Sequence, residues 1–155
     1  LGQYLGLTDI QLSELALLAI LHDIGKMSVP NHILLKSEPL TPEEKEIMKL
    51  HTIKGFIIAN ASSELSKIAE YILCHHERWD GTGYPNGYKG LQIPLLSRII
   101  SVVDSFDVMT HDRPYHKAIS IKDALTEVKH CSGTQFDPDI ACIFVSMIEG
   151  KVENS

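Results

Sequence analysis

His75-His76 closes an apolar run, Leu65, Ile68, Ala69, Ile72 and Leu73, whose spacing is that of a helix. After Glu77-Arg78-Trp79 comes a glycine-rich loop, Asp80-Gly81-Thr82-Gly83-Tyr84-Pro85. This junction constrains the fold more than any other stretch. Imidazoles carried inward on a buried helix end need partners, and glycine lets a loop backbone approach a ligand closely. The same pattern recurs along the chain. His22-Asp23 follows the apolar run Leu12–Leu21, His51 lies behind Ile47 and Leu50, and Asp104 interrupts Ile99–Val108. Taken singly, each is a polar surface group or a satisfied core residue. Taken together, one metal centre would satisfy all six donors.

The rest of the pattern is helical, and an all-α bundle is expected. Gly25 reads as the stop of the first long helix. Thr41-Pro42-Glu43-Glu44 is a start signal, with Thr as N-cap, Pro at the first helical position and Glu44 placed for a capping box. The helix behind it should carry Ile47, Leu50, His51 and Lys54. Pro94, Ser120 and Asp137-Pro138 open further helices, which Gly133 and Gly150 help to end. No period-2 strand of useful length is present. The 155 residues form one domain over 1–150, with a frayed tail over 151–155. The chain starts at Leu1 inside what reads as a structured segment, so a fragment of a longer protein is expected.

A net charge of −6 argues against a nucleic-acid polymer as partner, which wants a basic face. It leaves room for a small anionic substrate, since metals and local cations reverse the sign inside a cleft. No apolar run reaches membrane-spanning length. Cys74, Cys131 and Cys142 are odd in number and lack CxxC spacing, which suits buried thiols in a reducing, cytoplasmic setting.

The donor set speaks to the ion. Mixed imidazole and carboxylate without thiolate suits iron, manganese, zinc, nickel or cobalt rather than a structural zinc site. Six donors are generous for one ion and reasonable for two that share a carboxylate, with Asp23 the best bridge. Such a site suits hydrolysis at phosphorus. Lys26, three residues after Asp23, is placed to stabilise a phosphate oxygen. Arg98, Arg113 and Lys117 are further cations flanking the cleft, and Arg113 is favoured for bidentate phosphate binding.

His22-Asp23-Ile24-Gly25-Lys26 with the segment His75–Pro85 resembles the HD-GYP branch of the HD phosphohydrolase superfamily. The resemblance continues through Arg98–Asp107, Asp112-Arg113-Pro114-Tyr115 and Phe136-Asp137-Pro138, nearly the whole chain. The HD pair alone is common to many phosphohydrolases; the long second motif is specific.

The resemblance implies an HD-domain helical bundle with a two- or three-metal centre of iron or manganese. It implies a bacterial signalling enzyme that hydrolyses cyclic di-GMP to linear pGpG and, in some members, onward to GMP. Carried over, the metal ligands are His22, Asp23, His51, His75, His76 and Asp104. Lys26 and Asp23 serve catalysis, while Gly83, Tyr84 and Pro85 shape the substrate loop. Arg98 and Arg113 fall on the family's cationic positions. The residue three after Arg113, usually basic, is His116 here, with Lys117 next. The family also draws a His, and in trinuclear members a Glu, from an upstream helix; no His precedes His22 here. Implied partners are cyclic di-GMP and a diguanylate cyclase domain or an upstream sensory or receiver domain. Rival readings are a catalytically impaired module used for sensing or docking, and an HD nucleotidase acting on mononucleotides.

Overall fold

A computed structural model describes residues 1–112 and 117–152. Eight α-helices make up the described chain: α1 (Asp9–Leu21), α2 (Asn31–Leu34), α3 (Pro42–Lys49), α4 (His51–Asn60), α5 (Ser66–Cys74), α6 (Leu95–Thr110), α7 (Ile121–His130) and α8 (Pro138–Val152). Two 3-10 turns, Ile24–Ser28 and Gly90–Gln92, complete it. Among the described residues the only extended pairing is an isolated bridge between Ser132 and Phe136.

The start signals act as expected. Thr8 and Thr41 each accept from the backbone N–H three residues on, and Gln11 and Glu44 return the bond to the cap, closing two capping boxes. Ser120 caps α7 by accepting from the Asp123 N–H. α5 and α6 turn their apolar stripes inward. Leu18, Ile68, Ile72, Leu96, Ile99, Val102 and Val128 are sealed from solvent beside Phe136 and Phe144. Each such side chain contributes roughly 1.5–3 kcal/mol. This core holds α1, α5 and α6 side by side, so their donor-bearing ends meet.

Several boundaries differ from the sequence reading. α1 stops at Leu21 and His22 caps it; Gly25 instead lies in the following 3-10 turn. Its role is close approach. A Cβ on Gly25 would sit 1.9 Å from the His51 carbonyl oxygen and 2.5 Å from the Gly55 nitrogen. Glycine is therefore what lets the His22–Lys26 segment lie on α4. The helix expected behind Thr41 is two helices that break at Leu50, whose N–H closes a tightened turn on the Ile47 carbonyl. Gly150 does not end the last helix, which continues to Val152.

Candidate metal centre

Asp23 sits between the end of α1 and its 3-10 turn, His51 begins α4, His75 and His76 follow α5, and Asp104 lies within α6. Three of the imidazoles are aimed by a backbone carbonyl one turn earlier. The Nδ1–H of His22 donates to the Ala19 carbonyl at 3.1 Å, that of His51 to Met48 at 2.7 Å, and that of His75 to Ile72 at 2.6 Å. All three are bonds to the carbonyl three residues earlier. They fix the tautomer and leave each Nε2 lone pair turned to the shared space.

Donor atoms of Asp23, His51, His75 and His76 all lie within 4.8 Å of one another. The two Asp23 oxygens face different neighbours. Oδ1 is 3.5 Å from His51 Nε2 and 3.9 Å from His75 Nε2, while Oδ2 is 3.6 Å from His22 Nε2. His22 Nε2 also lies 3.7 Å from Asp104 Oδ1, which brings the sixth donor in. Among the described residues Asp23 Oδ1 is buried with no hydrogen-bond partner. An unpaired buried carboxylate oxygen among imidazole lone pairs fits a bound cation, the group that satisfies both at once.

The electrostatics agree. Burial, reinforced by the neighbouring imidazoles, pushes His75 well below the ordinary histidine range, and burial likewise takes His76 down to about 4. Burial lowers His51 as well. These rings are neutral at physiological pH and free to ligate. Burial would depress His22 too, but the Asp104 carboxylate, with Asp23, outweighs it and raises that ring. Burial would raise Asp23, but the Lys26 ammonium 2.6 Å from Oδ2, with His22, holds it below the usual carboxylate range. The neighbouring His22 ring lowers Asp104. Cys74 takes no part: burial, with Glu77 next, pushes its thiol up to about 12, so it stays protonated.

The glycine-rich loop folds back on this cluster. A Cβ on Gly83 would lie 2.3 Å from the Arg78 nitrogen, so glycine is required where the loop crosses its own base. The Tyr84 N–H donates to the His76 carbonyl, and its ring stacks on the His76 imidazole at 5.0 Å and 30°. The Lys49 ammonium also lies near this ring, 5.6 Å from the Tyr84 ring centre. A cavity of about 280 Å³ opens beside the donors, walled by His75, His76 and Asp104, by Tyr84, and by Ser101 and Gln135.

The cations divide. Lys26 is held at Asp23, inside the cluster. Arg98 is committed elsewhere. Its Nε donates to the Ile93 carbonyl, Nη1 pairs with the buried Asp137, and the guanidinium packs over Trp79. Asp137 also caps α8 through the Asp139 and Ile140 N–H groups. Arg98 is thus a strut between α6 and α8, and a substrate role for it finds no support in this geometry. Lys117 is exposed on the segment leading into α7. Arg113 lies outside the described residues. Two side chains beside the cluster escaped the sequence reading. Lys49 gives no signal, while Glu77 gives a faint one as an acid between a histidine pair and the loop.

The family model described as HD domain matches residues 1–140. A cyclic di-GMP phosphodiesterase of Thermotoga maritima is 42% identical over 149 residues, covering 95% of this chain and 40% of that protein. The cyclic di-GMP phosphodiesterase response regulator RpfG of Xanthomonas campestris is 37% identical over 139 residues, covering 88% and 37%. The chain therefore spans about two fifths of the length of these relatives. The crystal structure of a cyclic GMP-AMP specific phosphodiesterase of Vibrio cholerae shares the fold, with a TM-score of 0.72 at 22% identity over 96% of this chain and 41% of that one. Among the described residues no helix is long and apolar enough to cross a membrane. With the HD pair, the histidine pair and the Gly83-Tyr84-Pro85 loop gathered at one site, the chain belongs to the HD domain family and carries its HD-GYP signature.

Proposed function

We propose that this chain is the hydrolytic unit of a metal-dependent phosphodiesterase that cleaves cyclic di-GMP to linear pGpG and, by a second cut, to GMP. One observation carries the reading: Asp23 presents one oxygen to His51 and His75, whose rings burial holds neutral with Nε2 turned inward, and the other to His22. The names of the relatives supply the substrate class.

His22, Asp23, His51, His75, His76 and Asp104 would hold two or three iron or manganese ions, Asp23 with an oxygen toward each half of the set, and the ions would supply Lewis acidity and lower the pKa of water for hydrolysis at phosphorus. The chain's own groups do the rest. Lys26, about a third open to solvent beside Asp23, balances charge growing on a non-bridging phosphate oxygen. Tyr84, fixed on His76, offers a flat face to a base or sugar at the mouth of the cavity, with Gly83 and Pro85 setting its height. Arg113, on a cationic position of the family, and Lys117, a further cation flanking the cleft, are assigned to phosphate binding from the sequence alone. A sensory, receiver or diguanylate cyclase domain is the proposed partner, and residues 1–150 the proposed domain.

Elemental analysis of the purified chain, then chromatography of products after incubation with cyclic di-GMP, cyclic GMP-AMP and linear mononucleotides, tests the proposal. Two or more ions per chain with pGpG formed supports it. Bound metal with turnover only of mononucleotides would indicate a nucleotidase, and no metal with no turnover a docking module.

A further inference from the structure

Glu77 is 3% exposed and sits directly after the histidine pair, yet it is not one of the donors that converge on the cluster. Its carboxylate faces the loop instead. Oε1 accepts from the Asn86 N–H at 2.7 Å and Oε2 from the Tyr88 N–H at 3.1 Å. A carboxylate this deeply buried is costly unless its oxygens are satisfied, and here two backbone amides of one short segment do so.

The geometry makes Glu77 one half of a bracket. On the outgoing limb of the loop, Arg78 binds Thr82 Oγ1 at 2.9 Å and Asp80 Oδ2 at 3.3 Å, and reaches Gln135 Oε1 at 2.8 Å. On the returning limb, Glu77 binds residues 86 and 88. Between the two limbs lies the tip, Gly83-Tyr84-Pro85. Gly83 rests on the Glu77–Arg78 backbone and Tyr84 on His76. Glu77 is the buried arm of this bracket and Arg78 the more exposed one, a third open to solvent. Releasing the returning limb frees Tyr84 from its place over a proposed metal ligand without removing any donor.

We propose that Glu77 is a positioning residue of the phosphodiester site. Its carboxylate clamps the Asn86 and Tyr88 amides so that Tyr84 stays stacked on His76, and it thereby sets affinity for the nucleotide without touching metal or substrate. The inference rests on the phosphodiesterase reading for its substrate, but not for its geometry.

Glu77→Gln keeps the shape, loses the charge and sets an amide NH2 against one backbone N–H. Its KM for cyclic di-GMP is expected to rise about tenfold with kcat changed less than about twofold. Metal content should equal that of the wild type, and the Asn86 and Tyr88 amide protons should exchange about tenfold faster. Glu77→Asp, which keeps the charge with a shorter reach, should give an intermediate KM. In a Tyr84→Ala background Glu77→Gln should add less than about twofold, because both act through the same ring. Loss of metal, a fall in kcat at constant KM, or effects that multiply in the double variant would overturn the assignment. If the wild-type chain turns over no cyclic di-GMP, the phosphodiesterase reading fails. Amide exchange in the Glu77 variants then still decides the clamp, unchanged protection at Asn86 and Tyr88 refuting it.

Discussion

The Nε2 atoms of His51 and His75 face each other at 3.3 Å. Both rings spend their Nδ1–H on a backbone carbonyl, so two lone pairs meet with Asp23 Oδ1 beside them. Burial disfavours a proton on either ring. Three electron-rich atoms without a shared proton repel one another, and a divalent cation converts the repulsion into ligation.

Metal should therefore stabilise the fold as well as arm the site. Free ion at 100 times its dissociation constant adds about 2.7 kcal/mol. For a chain of this size that raises Tm by roughly 5–10 °C. Calorimetry with manganese or ferrous ion against chelator reads the difference directly. A Tm indifferent to metal would show that these lone pairs are accommodated in another way.

Asp23 touches both halves of the cluster, so its loss should cost more than loss of any single imidazole. Asp23→Asn keeps the volume but replaces one oxygen by an NH2 that faces imidazole lone pairs or Lys26. Bound metal should fall below one ion per chain, and turnover of cyclic di-GMP should fall more than about a hundredfold. Full metal occupancy in this variant would remove Asp23 from the bridging position.

The parts of this site that sequence made legible are those whose chemistry is written in side-chain type. Imidazole and carboxylate at the ends of apolar helices, or interrupting one as Asp104 does, mark His22, Asp23, His51, His75, His76 and Asp104 without knowledge of the fold. What stayed hidden depends on partners remote in the chain. Gly25 looks like a helix stop because its close contact, the His51 carbonyl, belongs to α4. Arg98 looks like a substrate cation because Asp137, which neutralises it, lies 39 residues away. Glu77 binds backbone N–H groups, which every residue but proline carries and no pattern marks. The break at Leu50 likewise reflects a tightened turn and not a breaker residue.

The metal-free chain should lose stability as pH falls from about 6.5 toward about 4. In the unfolded chain His76 takes a proton near 6.5, whereas in the fold burial delays this to about 4. Over that window the unfolded state binds more protons, so acid favours unfolding. His51 and His75 act in the same direction. His22 opposes them, since its raised value stabilises the fold below 6.5. Asp23 and Asp104 lose their contribution only below the ordinary carboxylate range. His76 alone accounts for a loss on the order of 3 kcal/mol. Melting curves in chelator should show Tm dropping between pH 7 and pH 5, and a flat or rising Tm would contradict the burial of neutral rings.

Arg98 separates packing from substrate binding. Its guanidinium pairs with an Asp137 only 4% exposed and stacks over Trp79. Arg98→Ala leaves that carboxylate buried and uncompensated at the start of α8, a loss of about 3–5 kcal/mol. Arg98→Lys restores the charge but neither the two-point contact with Asp137 and the Ile93 carbonyl nor the flat face toward Trp79, and should recover only part of it. In both variants KM for cyclic di-GMP, measured on the folded fraction below Tm, should stay within about twofold of the wild type. A large rise in KM with unchanged Tm would return Arg98 to the substrate. Denaturant unfolding and initial-rate kinetics on the same preparations make the comparison, because the two roles move different observables.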